Sequence, residues 1–139
     1  MHIVSGDLWG GAEALVLELV REQQQRSPGR IVCVVMNPGI LATELAALGV
    51  PLVVLDESRQ GLRKLILTTA AAIRNFSPRI VHAHRQKENL VASLARLLYG
   101  GRVRLVTTVH GMPEPVKVGT LLRRKLVARI NQWTLRLCF

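Results

Sequence analysis

The chain has 139 residues, of which 49% are hydrophobic and 4% aromatic, and it carries 19 basic against 9 acidic side chains. This length suits one domain with an aliphatic core. The sequence has no apolar run of the roughly 18 residues that span a membrane, and its first residues lack the basic-then-apolar pattern of a secretory leader. Cys33 and Cys138 lie far apart and indicate a reducing compartment rather than a disulfide framework. We therefore expect a cytoplasmic protein.

The basic excess is concentrated in the last part of the sequence. Residues 102–139 hold 8 basic and 1 acidic side chain, a surplus of 7, whereas residues 1–101 hold 11 and 8, a surplus of 3. Such a segment favours an anionic partner, which could be a membrane surface, nucleic acid or a phosphate-bearing substrate. Nucleic acid is disfavoured because the sequence has no RNA-binding aromatic motif, helix-turn-helix or zinc pattern.

Short apolar runs alternate with segments of helical spacing. The predicted order is strand 2–6, helix 11–25, strand 30–37, helix 40–49, strand 50–56, helix 61–76, strand 79–84, helix 87–101 and strand 104–111. The spacing in the first helix predicts an apolar face made of Ala12, Leu15, Val16, Leu19 and Val20.

This alternation predicts parallel strands joined by right-handed crossovers, with both faces of the sheet covered. The expected fold class is α/β: a Rossmann-like doubly wound parallel sheet of about five strands, with residues 1–139 as a single domain. In such sheets ligands bind beyond the carboxyl ends of the strands. Three loops are therefore candidates for a site: 6–11, 84–88 and 110–115.

The loop after the first strand lies in SGDLWGGAEALV, residues 5–16. Gly6 and Gly11 match the glycine spacing of a phosphate loop, but Ala12 and Glu13 stand where Lys and Ser or Thr are required. The dinucleotide fingerprint G-x-G-x-x-G is also missing, which disfavours kinase-like and NAD-binding chemistry. Two interpretations stay open: backbone N–H groups that bind a phosphate or sugar oxygen, or a tight turn without a ligand.

Three histidines are candidate chemical groups. His82 and His84 are two residues apart on a strand and share a face, but no cysteine or carboxylate has the spacing to join them, so the sequence predicts no metal site. His84 ends its strand and can reach the ligand crevice. His110, in TTVHGMPEP, follows the last strand, where an imidazole can position a hydroxyl or stabilise developing charge. The alternative for His110 is a structural role in capping the next helix.

Three segments in register resemble the N-terminal domain of GT-B glycosyltransferases of family 4: GDLWGGAEALVLELV, RIVHAHRQKENLVASLARLLYG and LVTTVHGMPEP. The resemblance implies the acceptor-side domain of a retaining enzyme that transfers a sugar from a nucleotide-sugar to a cell-envelope or polysaccharide acceptor. It implies no cofactor beyond that co-substrate. The E-x7-E motif of the family's C-terminal, donor-binding domain is not found in these residues. We therefore expect that domain to be supplied elsewhere, in the same protein or by a partner chain.

The resemblance also implies roles for individual residues. Gly10 and Gly11 look like the loop that approaches the donor phosphates. His110 matches the histidine beside the transferred sugar and is the catalytic candidate, and His84 matches a histidine on the acceptor side. The resemblance does not explain Trp9, which either lines the acceptor site or covers the start of the helix.

An apolar stripe at helical spacing follows residue 119. Its members are Leu122, Leu126, Ile130, Trp133 and Leu137. Because basic residues surround the stripe, 119–137 is either a helix packed on the sheet or an amphipathic helix at an anionic membrane, near a lipid-linked acceptor. Two alternatives to the whole function stay open: a non-catalytic half that binds a membrane, an acceptor or a partner chain, and a GT-B sugar-nucleotide epimerase.

Overall fold

The computed structural model of the chain describes residues 1–99, 102–108 and 110. Within these residues strands and helices alternate in the predicted order, and the strands are shorter than the apolar runs that predicted them. The elements are β1 His2–Val4, α1 Gly11–Arg26, β2 Cys33–Val35, α2 Ile40–Ala47, β3 Leu52–Val54, α3 Leu62–Phe76, β4 Ile80–Ala83, α4 Gln86–Tyr99 and β5 Arg104–Thr107.

The five strands form one parallel sheet in the order β3-β2-β1-β4-β5. The chain adds strands outward from β1 to β3 and then crosses to the other side of β1 for β4 and β5. This reversal confirms the predicted doubly wound α/β fold. It also defines a switch point between β1 and β4, and ligands of such folds bind beyond the carboxyl ends of the strands at that point.

A hydrophobic cluster lies on each face of the sheet because successive side chains of a strand point to opposite faces. Ile3 belongs to the cluster under α3 and α4, and Val4 belongs to the cluster under α1 and α2. Cys33 is a free thiol in the second cluster, and burial raises its pKa to about 12. The thiol is therefore protonated at neutral pH.

The buried face of α1 differs from the predicted one. Val16, Leu17 and Val20 are buried together with Glu13, whereas Leu15 is 55% exposed. Glu13 lies one helical turn before Val16 and Leu17. Its carboxylate can be buried there because Arg85, which follows β4, pairs with it. The prediction that Leu15 belongs to the buried face of this helix was therefore wrong.

Several sequence predictions lie outside the described residues. These are the segment 111–115 of the third candidate loop, the stripe 119–137 and Cys138. Among the helices that the structure describes, none combines the length and the apolar character needed to cross a bilayer.

Candidate active site

Two glycines at the carboxyl edge of the sheet are required by the fold. Gly6 has a φ of +76°, and a Cβ there would lie 2.5 Å from Val35 Cγ1. A Cβ on Gly39 would lie 2.8 Å from the carbonyl oxygen of Gly6. The loops after β1 and β2 therefore approach each other so closely that neither position accepts a side chain.

Gly10 and Gly11 are different, because the fold does not need them. Gly10 is the N-cap of α1 in an extended conformation, and a Cβ there would meet only Glu13 Oε2, at 3.4 Å. A Cβ on Gly11 would have no heavy atom within 4 Å. The N-cap Gly10 makes no side-chain cap hydrogen bond. Because the first backbone N–H groups of a helix have no partner within the helix, this end of α1 can bind another group.

Leu8 and Trp9 precede these glycines and face solvent. Their side chains are 72% and 47% exposed. An exposed indole next to an uncapped helix N-terminus offers an apolar face and one N–H donor. Neither of the two roles predicted for Trp9 is tested by this position.

Arg85 joins the glycine loop to the end of β4. Its Nη2 lies 2.6 Å from Glu13 Oε1, and its Nη1 lies 3.7 Å from Asp7 Oδ1. Glu13 is almost completely buried, and a buried carboxylate without a partner would be strongly destabilising. Arg85 thus holds α1 and β4 together across the switch point. Sequence reasoning missed it, although a lone arginine after HAH was a visible signal.

The first turn of α4 is tied to two other loops at the same edge. Ser5 Oγ donates a hydrogen bond to Oε1 of the fully buried Glu88, whose Oε2 has no partner among the described residues. Lys87 Nζ lies 2.5 Å from Glu57 Oε2, and Asn37 Nδ2 donates to Glu57 Oε1 at 2.9 Å. Sequence reasoning missed these side chains because each contact joins distant segments.

All four histidines of the sequence lie in one cluster on the sheet face that α1 covers. His2 of β1 pairs in register with His82 of β4, so the two rings and His84 share a face. His2 Nδ1 lies 3.0 Å from His84 Nε2, and His84 Nδ1 lies 3.3 Å from His110 Nε2. The structure therefore brings the predicted His84 and His110 together. It adds His2, which could be found only from the register of β1 against β4.

Polar side chains bond the rings at both ends of the cluster. Gln23 Oε1 of α1 lies 2.9 Å from His2 Nε2. Thr108 Oγ1, just after β5, lies 2.7 Å from His82 Nε2. The ring centroids of His82 and His84 are 4.1 Å apart.

Burial makes the inner histidines neutral. His2 and His84 are 4% and 2% exposed. Burial lowers the pKa of His2 to about 4; burial, reinforced by His82, His2 and His110, lowers the pKa of His84 to about 3. Burial also lowers the pKa of His82. At neutral pH each of these imidazoles therefore has one N–H donor and one lone pair.

The three strand histidines have the separation of a metal site. His2, His82 and His84 offer ligand atoms that lie within 4.8 Å of one another. Imidazole nitrogens suit zinc and other transition metals. However, His2 Nδ1 and His84 Nε2 already share a hydrogen bond, which an ion would have to displace.

The doubly wound parallel sheet places this chain in the class of Rossmann-like domains. The family model of Glycosyltransferase Family 4 matches residues 9–138, and the chain therefore belongs to glycosyltransferase family 4. A comparison with curated proteins gives no match.

Two solved structures of one protein resemble this chain. The crystal structure of Anabaena HepE in complex with UDP has a TM-score of 0.70 at 17% identity, over 96% of this chain and 34% of that chain. The structure of Anabaena HepE with UDP and glucose has a TM-score of 0.67 at 16% identity, over 93% of this chain and 34% of that one. The likeness confirms the GT-B type of Rossmann-like fold, and the chain spans about a third of the length of HepE.

Proposed function

We propose that this chain is the N-terminal, acceptor-side domain of a retaining glycosyltransferase. The enzyme would transfer a sugar from a nucleotide-sugar to a cell-envelope or polysaccharide acceptor. Membership of family 4 supports glycosyl transfer, and the binding of UDP and of glucose by HepE supports a nucleotide-sugar donor. Because the chain spans a third of HepE, the donor-binding domain would lie elsewhere in the protein or in a partner chain.

The observation that carries this proposal is the pair of glycines without a packing role. At the switch point of the sheet, the N-cap of α1 has no side-chain hydrogen bond, and a Cβ on Gly11 would have no heavy atom of the described residues within 4 Å. Phosphate groups bind such helix ends through backbone N–H groups and the helix dipole. We assign this end of α1 to the donor phosphates.

His110 is assigned to the transferred sugar. It follows β5 at the same edge of the sheet, and one ring nitrogen is held by His84. A ring fixed through one nitrogen can use the other to position a sugar hydroxyl, and it can stabilise charge at the reacting carbon.

His84 and Trp9 are assigned to the acceptor side. Because His84 is buried and hydrogen-bonded through both nitrogens, its influence would reach a ligand through His110 rather than by contact. Trp9 is exposed and can contact an acceptor directly. The surplus of 7 positive charges in residues 102–139 suits a peripheral position on the inner face of the cytoplasmic membrane, beside a lipid-linked acceptor.

The test is His110→Ala in the complete glycosyltransferase, assayed with a labelled nucleotide-sugar. We expect kcat to fall by about 100-fold or more, with the unfolding temperature unchanged. Arg104→Ala is the matched control, because Arg104 lies exposed at the other end of β5. Wild-type rates for His110→Ala would contradict the assignment. Label in an epimerised nucleotide-sugar would identify an epimerase, and no turnover by the complete protein would identify a non-catalytic binding module.

A further inference from the structure

We propose that Gln23 sets the tautomer of His110 through a directed chain of hydrogen bonds that runs by way of His2 and His84. This inference rests on the role proposed for His110 and deepens it, because it names the residues that position its ring. Gln23, His2 and His84 act here as positioning residues.

The chain consists of three consecutive hydrogen bonds on one face of the sheet. Gln23 Oε1 lies 2.9 Å from His2 Nε2, His2 Nδ1 lies 3.0 Å from His84 Nε2, and His84 Nδ1 lies 3.3 Å from His110 Nε2. Each inner ring uses both nitrogens. This hydrogen-bond chain runs from Gln23 on α1 to the carboxyl edge of the sheet, where His110 follows β5.

The amide oxygen of Gln23 gives the chain its direction, because a carbonyl oxygen only accepts. His2 Nε2 must therefore carry the proton, which leaves His2 Nδ1 as a lone pair. That lone pair requires a donor, so His84 is protonated at Nε2 and has its lone pair at Nδ1. By the same rule His110 donates from Nε2 and keeps Nδ1 unprotonated.

This assignment requires neutral rings, and the site supplies them. Burial of His2 and His84 disfavours the charged imidazolium, which has two donors and would break the alternation of donor and acceptor. Exclusion of water also keeps the hydrogen bonds between the rings from being exchanged for bonds to solvent.

His82 lies in the same cluster, but its hydrogen-bond partner does not determine its tautomer. Its Nε2 is bonded to the hydroxyl of Thr108, and a hydroxyl both donates and accepts. Thr108 therefore leaves the tautomer of His82 open, whereas Gln23, whose Oε1 faces the ring of His2, determines that of its neighbour. The functional consequence for His110 is a lone pair at Nδ1, which accepts a hydrogen bond from a sugar hydroxyl and does not donate to it.

The experiment reverses the direction of donation along the hydrogen-bond chain. Long-range ¹H–¹⁵N spectra of the imidazole rings distinguish a protonated from an unprotonated nitrogen, and the full 139-residue chain has only four histidines. In the wild-type chain we expect His2, His84 and His110 all to be protonated at Nε2. Gln23→Lys replaces the acceptor with a donor, so all three should become protonated at Nδ1. Gln23→Glu keeps an acceptor and should keep the wild-type tautomers.

Gln24→Lys is the matched control. Gln24 is the next residue of α1 and is half-buried like Gln23, and its Oε1 has no hydrogen-bond partner among the described residues. Gln24→Lys adds the same charge as Gln23→Lys and should leave the tautomers of the histidines unchanged. The proposal is overturned if wild-type His110 or His2 is protonated at Nδ1, or if Gln23→Lys leaves His110 unchanged. A stoichiometric Zn²⁺ complex at His2 and His84 would also overturn it, since a coordinated nitrogen cannot belong to the chain.

A rate measurement separates this proposal from the proposed function. In the complete glycosyltransferase we expect Gln23→Lys to lower kcat about tenfold at unchanged donor KM, and Gln23→Glu to retain the wild-type rate. Reversed tautomers with unchanged kcat would support the hydrogen-bond chain and contradict the role assigned to the His110 ring in the reaction. That result would leave glycosyl transfer itself in place.

Discussion

The sheet face under α1 and α2 has two halves that are filled in different ways. Over β2 and β3 the filling is aliphatic, with Val35 and Leu45 among the fully buried side chains. On the side of β4 the equivalent positions hold His82 of the strand and His84, which directly follows it. β1 contributes to both halves, with Val4 in the first and His2 in the second.

The two halves differ in what makes their buried side chains acceptable: close packing in the first half and hydrogen bonds in the second. Aliphatic side chains need only complementary shape, whereas a buried polar ring is destabilising unless it is hydrogen-bonded. Each histidine of the second half has such a partner. The aliphatic half therefore determines stability, and the histidine half leads to the carboxyl edge where the proposed site lies.

The largest effect is expected in the aliphatic half. Leu45→Ala removes a side chain of α2 with no solvent exposure, and it should lower the free energy of unfolding by about 2–5 kcal/mol. Urea unfolding gives this value. Because nothing in this half titrates near neutral pH, the loss should be the same at pH 7.5 and pH 5.5. A loss that changes with pH would show that the two halves are not independent.

The histidine half should make stability depend on pH. The pKa of His2 is about 4 in the folded chain, because of burial, against about 6.5 in an unfolded one. Between pH 6.5 and pH 4 the unfolded chain binds a proton at His2, whereas the folded chain does not. This contribution is thus complete above pH 6.5, is lost as the pH falls towards 4, and amounts to on the order of 3 kcal/mol.

His2→Leu removes this contribution and extends the aliphatic filling into the second half, and it also removes the hydrogen-bond partner of His84 Nε2. The unfolding free energy of the wild type minus that of His2→Leu should fall by on the order of 3 kcal/mol as the pH is lowered from 7 to 4. His84, whose pKa burial lowers to about 3, acts in the same direction and stays in both proteins. A difference that stays constant over this range would show that His2 is not buried as a neutral ring.

The sequence predicted the first half of this face better than the second. Apolar runs and turn residues predicted every described strand and helix, because burial on both faces of a parallel sheet leaves a local signature. His2 carries no such signature, since its partner His84 is 82 residues away. Glu13 interrupts the apolar face of α1 for the same reason, because the arginine that permits its burial lies 72 residues further on.

The smallest effect is expected at Gly11, the first residue of α1. Gly11→Ala should raise the free energy of unfolding by about 0.4–1 kcal/mol, because alanine reduces the conformational entropy of the unfolded chain and its Cβ would meet no other group. The same change should lower transfer by the complete glycosyltransferase, because the added methyl group occupies the space assigned to the donor phosphates. Unfolding curves and initial rates measure the two effects.

Gly61→Ala is the control for the transfer measurement. Gly61 is the N-cap of α3, and a Cβ there would also have no heavy atom within 4 Å. It lies at the start of a helix on the opposite face of the sheet, so transfer should be unchanged. If Gly11→Ala is more stable and equally active, the open space at α1 has no ligand and the donor phosphates must bind elsewhere. If it is more stable and less active, this glycine is present for the ligand and not for the fold.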